Sequence, residues 1–146
     1  MDGAELLRKV AAGFEKSDMQ PLLDAMHDDI VWKTASRQEG VFRFGGEYHG
    51  RTGLLTVLSQ LAMDYTFRRI TPKEILASGD TVWALCDAVL SFDPKGKSVT
   101  ANTVDLEIAI HWKLKDGKII EHQAFFDTAA LLIQQGRLSG KELLGP

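Results

Sequence analysis

The spacing of hydrophobic residues changes near the middle of this 146-residue chain. Before residue 65, apolar positions recur every three or four residues, which is typical of helices with one buried face. After residue 65, apolar and polar positions alternate, as they do in strands that bury one face. The pattern therefore predicts helices in the first half of the chain and strands in the second.

Three helices are predicted in the first half. The first covers residues 4–15. The second begins after a cap at Ser17 or Asp18, because short polar side chains favour that position, and it buries Met26 near its end. The third begins at residues 52–53 and carries a run of leucines. A fourth helix, over residues 127–137, is predicted to follow the last strand.

One short strand and four long ones are predicted, over residues 30–34, 65–77, 81–92, 98–115 and 118–126. The fourth is the clearest, because apolar and polar residues alternate strictly from Val104 to Leu114. The pair Asp116-Gly117 predicts a hairpin turn after it, and residues 93–96 predict another turn. The long strands should therefore pair as an antiparallel sheet.

Two segments lack a regular pattern. Residues 35–50 contain four glycines with aromatic residues between them, which predicts a loop with a short extended piece that covers something apolar. Residues 138–146 are predicted to form a loosely held tail.

The order of the elements predicts an α+β fold, with the helices on one face of a curved sheet. A chain of this length is most simply one domain over residues 1–146. No internal repeat or linker interrupts the pattern. A domain of this size has room for a real core and a modest cavity.

Composition excludes several classes of function. The net charge of −3 and the mixed signs along the chain argue against a nucleic-acid partner. No charge-free run approaches the ~20 residues that span a bilayer, and the first residues do not resemble a signal peptide, so we expect a cytoplasmic protein without a membrane partner. Cys86 is the only cysteine, which excludes an intramolecular disulfide and predicts a small buried side chain. No cofactor is predicted.

His122 and Asp127 are the two candidates for chemistry, and they share one stretch of the chain. Alternation with Ala124 and Phe126 places His122 on the inward face of the last strand, where a neutral imidazole can act as a base or a hydrogen-bond donor. An internally satisfied histidine is the alternative. Asp127 directly precedes the last helix, so it is either a helix cap or a catalytic carboxylate.

Several short motifs, in order, resemble the NTF2-like superfamily, and within it the SnoaL-like or ketosteroid isomerase-like proteins. These motifs are Asp18 with Leu22-Leu23, Asp28-Asp29-Ile30-Val31-Trp32, Gly46-Glu-Tyr-His-Gly50, Lys115-Asp-Gly-Lys-Ile119 and Phe125-Phe-Asp127. The resemblance covers nearly the whole chain. It implies a cone made of a curved antiparallel sheet and N-terminal helices, an apolar pocket inside it, and a homodimer built across the sheet.

The family's catalytic residues do not carry over to this sequence. The aspartate base of the ketosteroid isomerases corresponds to Thr34, and their two oxyanion-hole donors correspond to Val10 and Ile110. The catalytic aspartate of the limonene epoxide hydrolases and of the SnoaL cyclases corresponds to Ala124. Asp127 matches the non-catalytic aspartate of the motif. A proton-abstraction mechanism of those kinds therefore lacks its base here.

The resemblance also implies which residues face the pocket. We expect the lining to include Trp32, Thr34, Tyr48, Ile110, Trp112, Ala124 and Phe126. For Trp32 and Trp112 the alternative is packing in the core, and for Tyr48 it is a solvated loop. On the opposite face of their strand, Asp105, Glu107 and His111 suit a polar dimer surface, with a metal site as the alternative.

Two functions remain open at this point. The chain is either a pocket protein that binds a small apolar molecule without chemistry, or a cofactor-free isomerase, cyclase or hydrolase that uses His122 as acid or base. The enzyme requires His122 to face the pocket within about 3 Å of a second polar group such as Thr34, Tyr48 or Asp127.

Overall fold

The computed structural model describes residues 2–36, 40–94 and 102–139. Four helices and six strands follow one another along these residues. They are α1 (Gly3–Glu15), α2 (Gln20–Ala25), β1 (Met26–Lys33), β2 (Glu47–His49), α3 (Gly50–Asp64), β3 (Tyr65–Ser78), β4 (Thr81–Phe92), β5 (Asn102–Lys115), β6 (Lys118–Phe125) and α4 (Thr128–Gln134). None of these helices is long and apolar enough to cross a membrane.

The six strands form one curved, unclosed sheet in the order β2-β1-β6-β5-β4-β3. The predicted α+β fold is confirmed, and β3 to β6 pair antiparallel as the hairpin signals predicted. One pair of strands departs from the antiparallel arrangement, because β1 lies parallel to β6. The last long strand therefore lies inside the sheet, between β1 and β5.

The hydrophobic core lies between the helices and the inward face of the sheet. Leu7 and Val10 of α1 are buried, as the helical spacing requires, and β4 buries every second residue from Val82 to Phe92. Two glycines allow α1 to pack closely. A Cβ on Gly3 would lie 2.5 Å from Val82 Cγ2, and one on Gly13 would lie 2.6 Å from the backbone oxygen of Asp18.

The predicted second helix is shorter than expected. It ends at Ala25, and Met26 begins β1 because it pairs with Ile119 of β6, a contact that helical spacing cannot reveal. Arg51 of α3 fixes this junction, since its guanidinium donates to the backbone oxygens of Leu23 and Met26, both at 2.9 Å. The third helix also differs, because it begins at Gly50, two to three residues earlier than predicted.

Asp18 and Gly136 mark the ends of helices. The carboxylate of Asp18, one of the two predicted caps, accepts a hydrogen bond from the backbone N–H of Gln20 at 3.0 Å, although Met19 occupies the cap position itself. Gly136 follows α4 with a φ of +79°, a left-handed conformation that favours glycine. The helix ends at Gln134, three residues earlier than predicted.

The irregular segment before α3 contains the predicted extended piece. Glu47–His49 forms the short edge strand β2 against β1. Phe42 and Phe44 are buried and stack with their ring centroids 5.0 Å apart, so the segment covers one end of the core. Residues 95–101, which include part of the predicted turn and strand start, and most of the predicted tail, residues 140–146, lie outside the described residues.

Candidate ligand-binding site

An apolar cavity of about 130 Å³ lies between α1 and the sheet. It is close in size to an engineered cavity of ~150 Å³ that binds benzene. Seven predicted site residues lie on its wall, namely Trp32, Thr34, Ile110, Trp112, His122, Ala124 and Phe126. Tyr48 and Asp127 do not belong to the wall. Strand alternation explains the set, because side chains two residues apart share one face of the sheet.

His122 lies in a row of aromatic side chains that crosses three strands. Trp32 of β1 and Trp112 of β5 are its direct neighbours in the sheet, and paired residues on one face lie close enough to touch. The imidazole stacks on the Trp32 ring, with centroids 3.7 Å apart and planes 18° from parallel. Two large aromatic residues therefore hold the ring in one orientation, and only 8% of the residue is exposed.

The hydrogen bond from Trp112 determines the tautomer of His122. The indole Nε1–H donates to His122 Nδ1 at 3.0 Å. Because an indole nitrogen can only donate, Nδ1 must be unprotonated, and the proton of the neutral ring is on Nε2. No described residue accepts a hydrogen bond from that Nε2–H group. The imidazole therefore contributes one free donor to the site, while its basic nitrogen is already engaged.

Burial and, to a smaller extent, the neighbouring His111 lower the pKa of His122 to about 3. The hydrogen bond from Trp112 favours the same neutral form, since protonation of Nδ1 would break it. A base with so low a pKa takes up a proton weakly near neutral pH. The hydrogen bond from Trp112 and the lowered pKa therefore both favour His122 as a hydrogen-bond donor and not as a base.

The predicted partners of His122 form other hydrogen bonds. The Thr34 hydroxyl lies on the cavity wall, but it donates to and accepts from the backbone of Gly46, at 3.1 and 2.8 Å, and it also lies 3.0 Å from the oxygen of Ser36. The Tyr48 hydroxyl lies 2.7 Å from Gln60 Oε1, away from the cavity. The polar group beside His122 is therefore Trp112, which was expected only to line the pocket or pack the core.

Asp127 is the N-cap of α4. Its carboxylate accepts a hydrogen bond from the backbone N–H of Ala130 at 3.0 Å. This contact satisfies one of the free donors in the first turn of the helix. The side chain has no place on the cavity wall, so a catalytic role for Asp127 has no geometric support.

The sequence reading missed Tyr65, which lies on the cavity wall and carries a buried hydroxyl. That hydroxyl donates to Gln135 Oε1 at 2.6 Å, across 70 positions of sequence. Burial raises the pKa of Tyr65, and the nearby Asp64 raises it further. Cys86, also on the wall, has its pKa raised to about 11 by burial and then by Asp87. Both groups are therefore protonated at neutral pH.

The candidate metal ligands on the outer face of β5 are separate from one another. Glu107 pairs with Lys73 of β3, which also contacts Asp87 at 3.1 Å. His111 packs against Trp83, with ring centroids 4.3 Å apart. Within the described ranges of the chain, no three His, Cys, Asp or Glu side chains are grouped so that they could hold a metal ion.

Comparison with solved structures supports the fold. TerC, co-crystallised with polyporic acid, superposes with a TM-score of 0.70 at 24% identity, over 90% of this chain and 95% of that one. An NTF2-like protein of unknown function from Burkholderia pseudomallei K96243 superposes with a TM-score of 0.74 at 18% identity, over 91% of this chain and 96% of that one. A proposed SnoaL-like polyketide cyclase from Jannaschia sp. CCS1 gives 0.74 at 16% identity, over 92% of each chain.

Comparison with sequence families gives the relationship directly. No curated protein sequence matches the chain significantly. The profile of the SnoaL-like domain, however, matches residues 7–122, from the first helix to the central histidine of the cavity. The solved NTF2-like structure shares its fold, and the chain therefore belongs to the SnoaL-like domain family.

Proposed function

We propose that this protein binds a small, neutral and largely apolar molecule in the cavity, with His122 as a hydrogen-bond donor to one oxygen of that ligand. The observation that carries the proposal is the row Trp32, His122 and Trp112. It fixes a neutral imidazole on an apolar wall and leaves only its Nε2–H group available. Such a cavity, apolar apart from a few oriented polar groups, is typical of small-molecule sites.

The charge state of the wall supports a neutral ligand. Burial lowers the pKa of His122 and raises the pKa of Tyr65 and of Cys86. Burial therefore disfavours positive charge at one point of the wall and negative charge at two others. An ionic ligand would lose its hydration in the same surroundings. The described part of the wall carries no carboxylate to pair with a cation, and its one charged residue, Lys33, is close enough to His111 on the outer face of the sheet to lower the pKa of that residue.

A related solved structure is consistent with an organic ligand. TerC was co-crystallised with polyporic acid, and its fold superposes on 90% of this chain. At 24% identity the likeness supports the fold alone, so the class of ligand for this protein rests on its own cavity wall.

The second candidate is a cofactor-free enzyme that acts on a small apolar carbonyl compound. One observation favours it, because an N–H group fixed on an apolar wall can polarise a carbonyl oxygen. Such an enzyme would use His122 as a donor, since Nδ1 is engaged by Trp112. It would need a base from outside the described cavity wall, and for this reason we place binding first.

Matched small molecules test the proposal. Acetophenone and α-methylstyrene have nearly the same shape, but only the ketone has an acceptor oxygen. Both should bind and raise the melting temperature, and the ketone should bind several-fold more tightly, as one added hydrogen bond provides. Benzoate, which carries a charge, should not bind. The fluorescence of Trp32 and Trp112 gives an independent measure of occupancy.

Variants then assign the preference to one residue. His122→Phe keeps a flat ring on the wall and removes the donor, so the preference for the ketone should fall while the hydrocarbon still binds. His49→Gln changes an exposed histidine and serves as the control. Failure of both compounds to bind, or equal binding of benzoate, contradicts the proposed function. Turnover of a ketone that is lost in His122→Phe would favour the enzyme instead.

We also propose that the protein is a homodimer in which two copies stack the outer faces of their sheets. Leu76, Trp83 and Phe125 are 65%, 45% and 41% exposed on the strands of that face. Trp83 and Phe125 stack over the intervening strand, with centroids 6.3 Å apart. A second copy with the same apolar patch is the partner that this surface fits.

The charges around the patch favour one arrangement of the two copies. On β5, Glu107 lies on one side of the patch and Lys113 on the other. A two-fold axis that runs along the strands would place Glu107 over Glu107 of the second copy. An axis across the strands places Glu107 over Lys113 instead. We therefore propose the axis across the strands, with β5 antiparallel to β5 of the second copy.

Charge reversal tests this arrangement. Glu107→Lys and Lys113→Glu should each dimerise poorly, because each places like charges opposite one another. An equimolar mixture of the two variants should form heterodimers, since both contacts then join opposite charges. Sedimentation velocity at low salt measures both outcomes. A monomeric wild type, or single variants that dimerise as strongly as the wild type, would contradict the arrangement.

A further inference from the structure

One end of the cavity wall is built from residues outside the helices and strands. These residues are Thr34 and Ala35 after β1, Phe44 before β2 and Phe126 after β6. The other described residues of the wall belong to helices or strands. Irregular segments open at a lower cost than paired strands and packed helices, because fewer hydrogen bonds and apolar contacts hold them. A path into the cavity is therefore made most easily at this end.

The segment Val41–Gly46, which we call the lid, is one residue thick between solvent and the cavity. Phe42 and Phe44 are buried, while Arg43 between them is exposed. The Phe44 side chain lies on the cavity wall. Both phenylalanine rings pack against Phe126, with ring centroids 6.2 and 6.4 Å away. Displacement of the lid would therefore open the wall at Phe44.

Few contacts hold the lid closed. The rings of Phe42 and Phe44 supply its apolar contact with the core. Among the described residues, Val41–Phe44 make one polar contact with the rest of the domain, in which Arg43 Nε lies 3.0 Å from Asp64 Oδ2. Asp64 is the last residue of α3 and its side chain is 11% exposed, so this ion pair joins the lid to a fixed helix. We call the ion pair the latch.

The C-terminal end of the lid is anchored and suits a pivot. The Gly46 N–H donates to Thr34 Oγ1 at 2.8 Å, and the Gly46 oxygen accepts from the Thr34 N–H at 3.1 Å. The Gly45 oxygen accepts from the Tyr48 hydroxyl at 3.0 Å. Gly46 has a φ of +110° and Gly40, just before the lid, a φ of +85°, and a Cβ on either would meet no described atom within 4 Å. Backbone freedom, and not close packing, therefore explains glycine at both positions.

We propose that the lid is the gate through which ligands enter and leave the cavity, turning about Gly46 and held closed by the latch. The passage of a ligand rests on the proposed function, but the opening itself can be measured without a ligand. Arg43 and Asp64 do not belong to the cavity wall. The latch therefore sets how fast the cavity exchanges its contents and has little effect on affinity.

The thiol of Cys86 reports the opening of the cavity. It is the only cysteine of the chain, it lies on the cavity wall, and it is 0% exposed. Methyl methanethiosulfonate, a small thiol reagent, should label it only when the cavity opens, and intact-mass measurement gives the rate. Low concentrations of urea should change this rate little, because a local opening exposes little surface. A rate that rises with the full urea dependence of global unfolding would overturn the lid.

Variants of the latch connect this rate to the lid. Arg43→Gln removes the charge and should raise the labelling rate about three-fold, the factor that one partly exposed ion pair provides. Arg43→Lys keeps the charge and should restore most of the protection. Arg68→Gln is the matched control, because Arg68 is an exposed arginine that bonds Ser91 at 2.9 Å.

Salt provides the same test without a variant. Added sodium chloride screens the ion pair, so it should raise the labelling rate of the wild type toward that of Arg43→Gln and leave the variant nearly unchanged. Equal labelling of Arg43→Gln and the wild type, or a wild-type rate that does not respond to salt, would overturn the latch and the lid with it.

Stopped-flow fluorescence with acetophenone tests the passage of a ligand. Arg43→Gln should raise the association and dissociation rate constants by the same factor of about three, with Kd nearly unchanged. Unchanged rate constants would overturn the lid as the route of entry. If acetophenone does not bind the wild type while Cys86 labelling responds to the latch, the proposed function fails and the opening stands. If it binds while labelling and exchange both ignore the latch, only the lid fails.

Discussion

The buried neutral histidine makes the stability of the protein depend on pH. His122 has a pKa of about 3 in the folded protein, against an ordinary value of 6.5. Above pH 6.5 the ring is neutral whether the chain is folded or not, so it has no effect. As the pH falls below 6.5, the unfolded chain binds a proton at this residue and the folded protein does not. Folding stability is therefore lost between pH 6.5 and pH 3.

The size of the effect follows from the same two values. A pH of 5.0 lies about 1.5 units below the ordinary pKa. Because each unit corresponds to about 1.36 kcal/mol, proton binding stabilises the unfolded state by about 2 kcal/mol at this pH. His122→Gln cannot titrate, and its amide can still accept from Trp112. Between pH 7.5 and pH 5.0, the free energy of unfolding of the variant should therefore fall by about 2 kcal/mol less than that of the wild type.

Urea unfolding at the two pH values, followed by tryptophan fluorescence, measures this difference. His49→Gln removes an exposed histidine and controls for the loss of one titratable ring. If His122→Gln destabilises too strongly to be studied, the ring signals of His122 in the wild type give the same information, because they should show no titration down to pH 5. Equal acid sensitivity of His122→Gln and the wild type, or a His122 ring that titrates near pH 6.5, would refute the reasoning.

Two further substitutions test the helix ends. Asp127→Ala should lower the free energy of unfolding in urea by about 1 kcal/mol, because the helix cap is lost. Asp127→Asn should change this free energy little, because asparagine is also a good cap. Ligand binding should survive both changes, and its loss would return Asp127 to the site. Gly13→Ala should destabilise by about 1–3 kcal/mol, although alanine favours helices, because its Cβ would lie 2.6 Å from the oxygen of Asp18. A gain in melting temperature would contradict that packing.

Local patterns predicted the elements well, because they depend on backbone geometry. The alternation from Val104 to Leu114 located β5 and its inward face without knowledge of its neighbours. A cap at the start of α4 was one of the two roles expected of Asp127, because the residue directly precedes the helix. The start of β1 at Met26 was missed, because it depends on a pairing with β6 across the whole chain.

The partner of His122 was hidden by a bulge in the last hairpin. Counting back from the Asp116-Gly117 turn would pair Trp112 with Glu121. The observed register shifts by one residue after Leu114, so Trp112 pairs with His122 instead. Ile119 and His122 both face inward although they are three residues apart, which strict alternation forbids. That conflict was present in the sequence and could have indicated the bulge.

The contact between Tyr65 and Gln135 had no such signal. It joins the first residue of β3 to the residue that follows α4. Neither a turn nor a periodicity connects residues 70 positions apart, so only the packing of α4 against the sheet brings them together. Polar groups of this kind are found only when the tertiary structure is known.

The place of β6 inside the sheet has a consequence for synthesis on the ribosome. β1 is made early, but its long parallel neighbour is Lys118–Phe125, which emerges last among the strands. Until then the nascent chain carries open strand edges on β1 and β5, and such edges pair readily with other chains. A chain that stops before Lys118 should therefore aggregate instead of folding into a smaller domain.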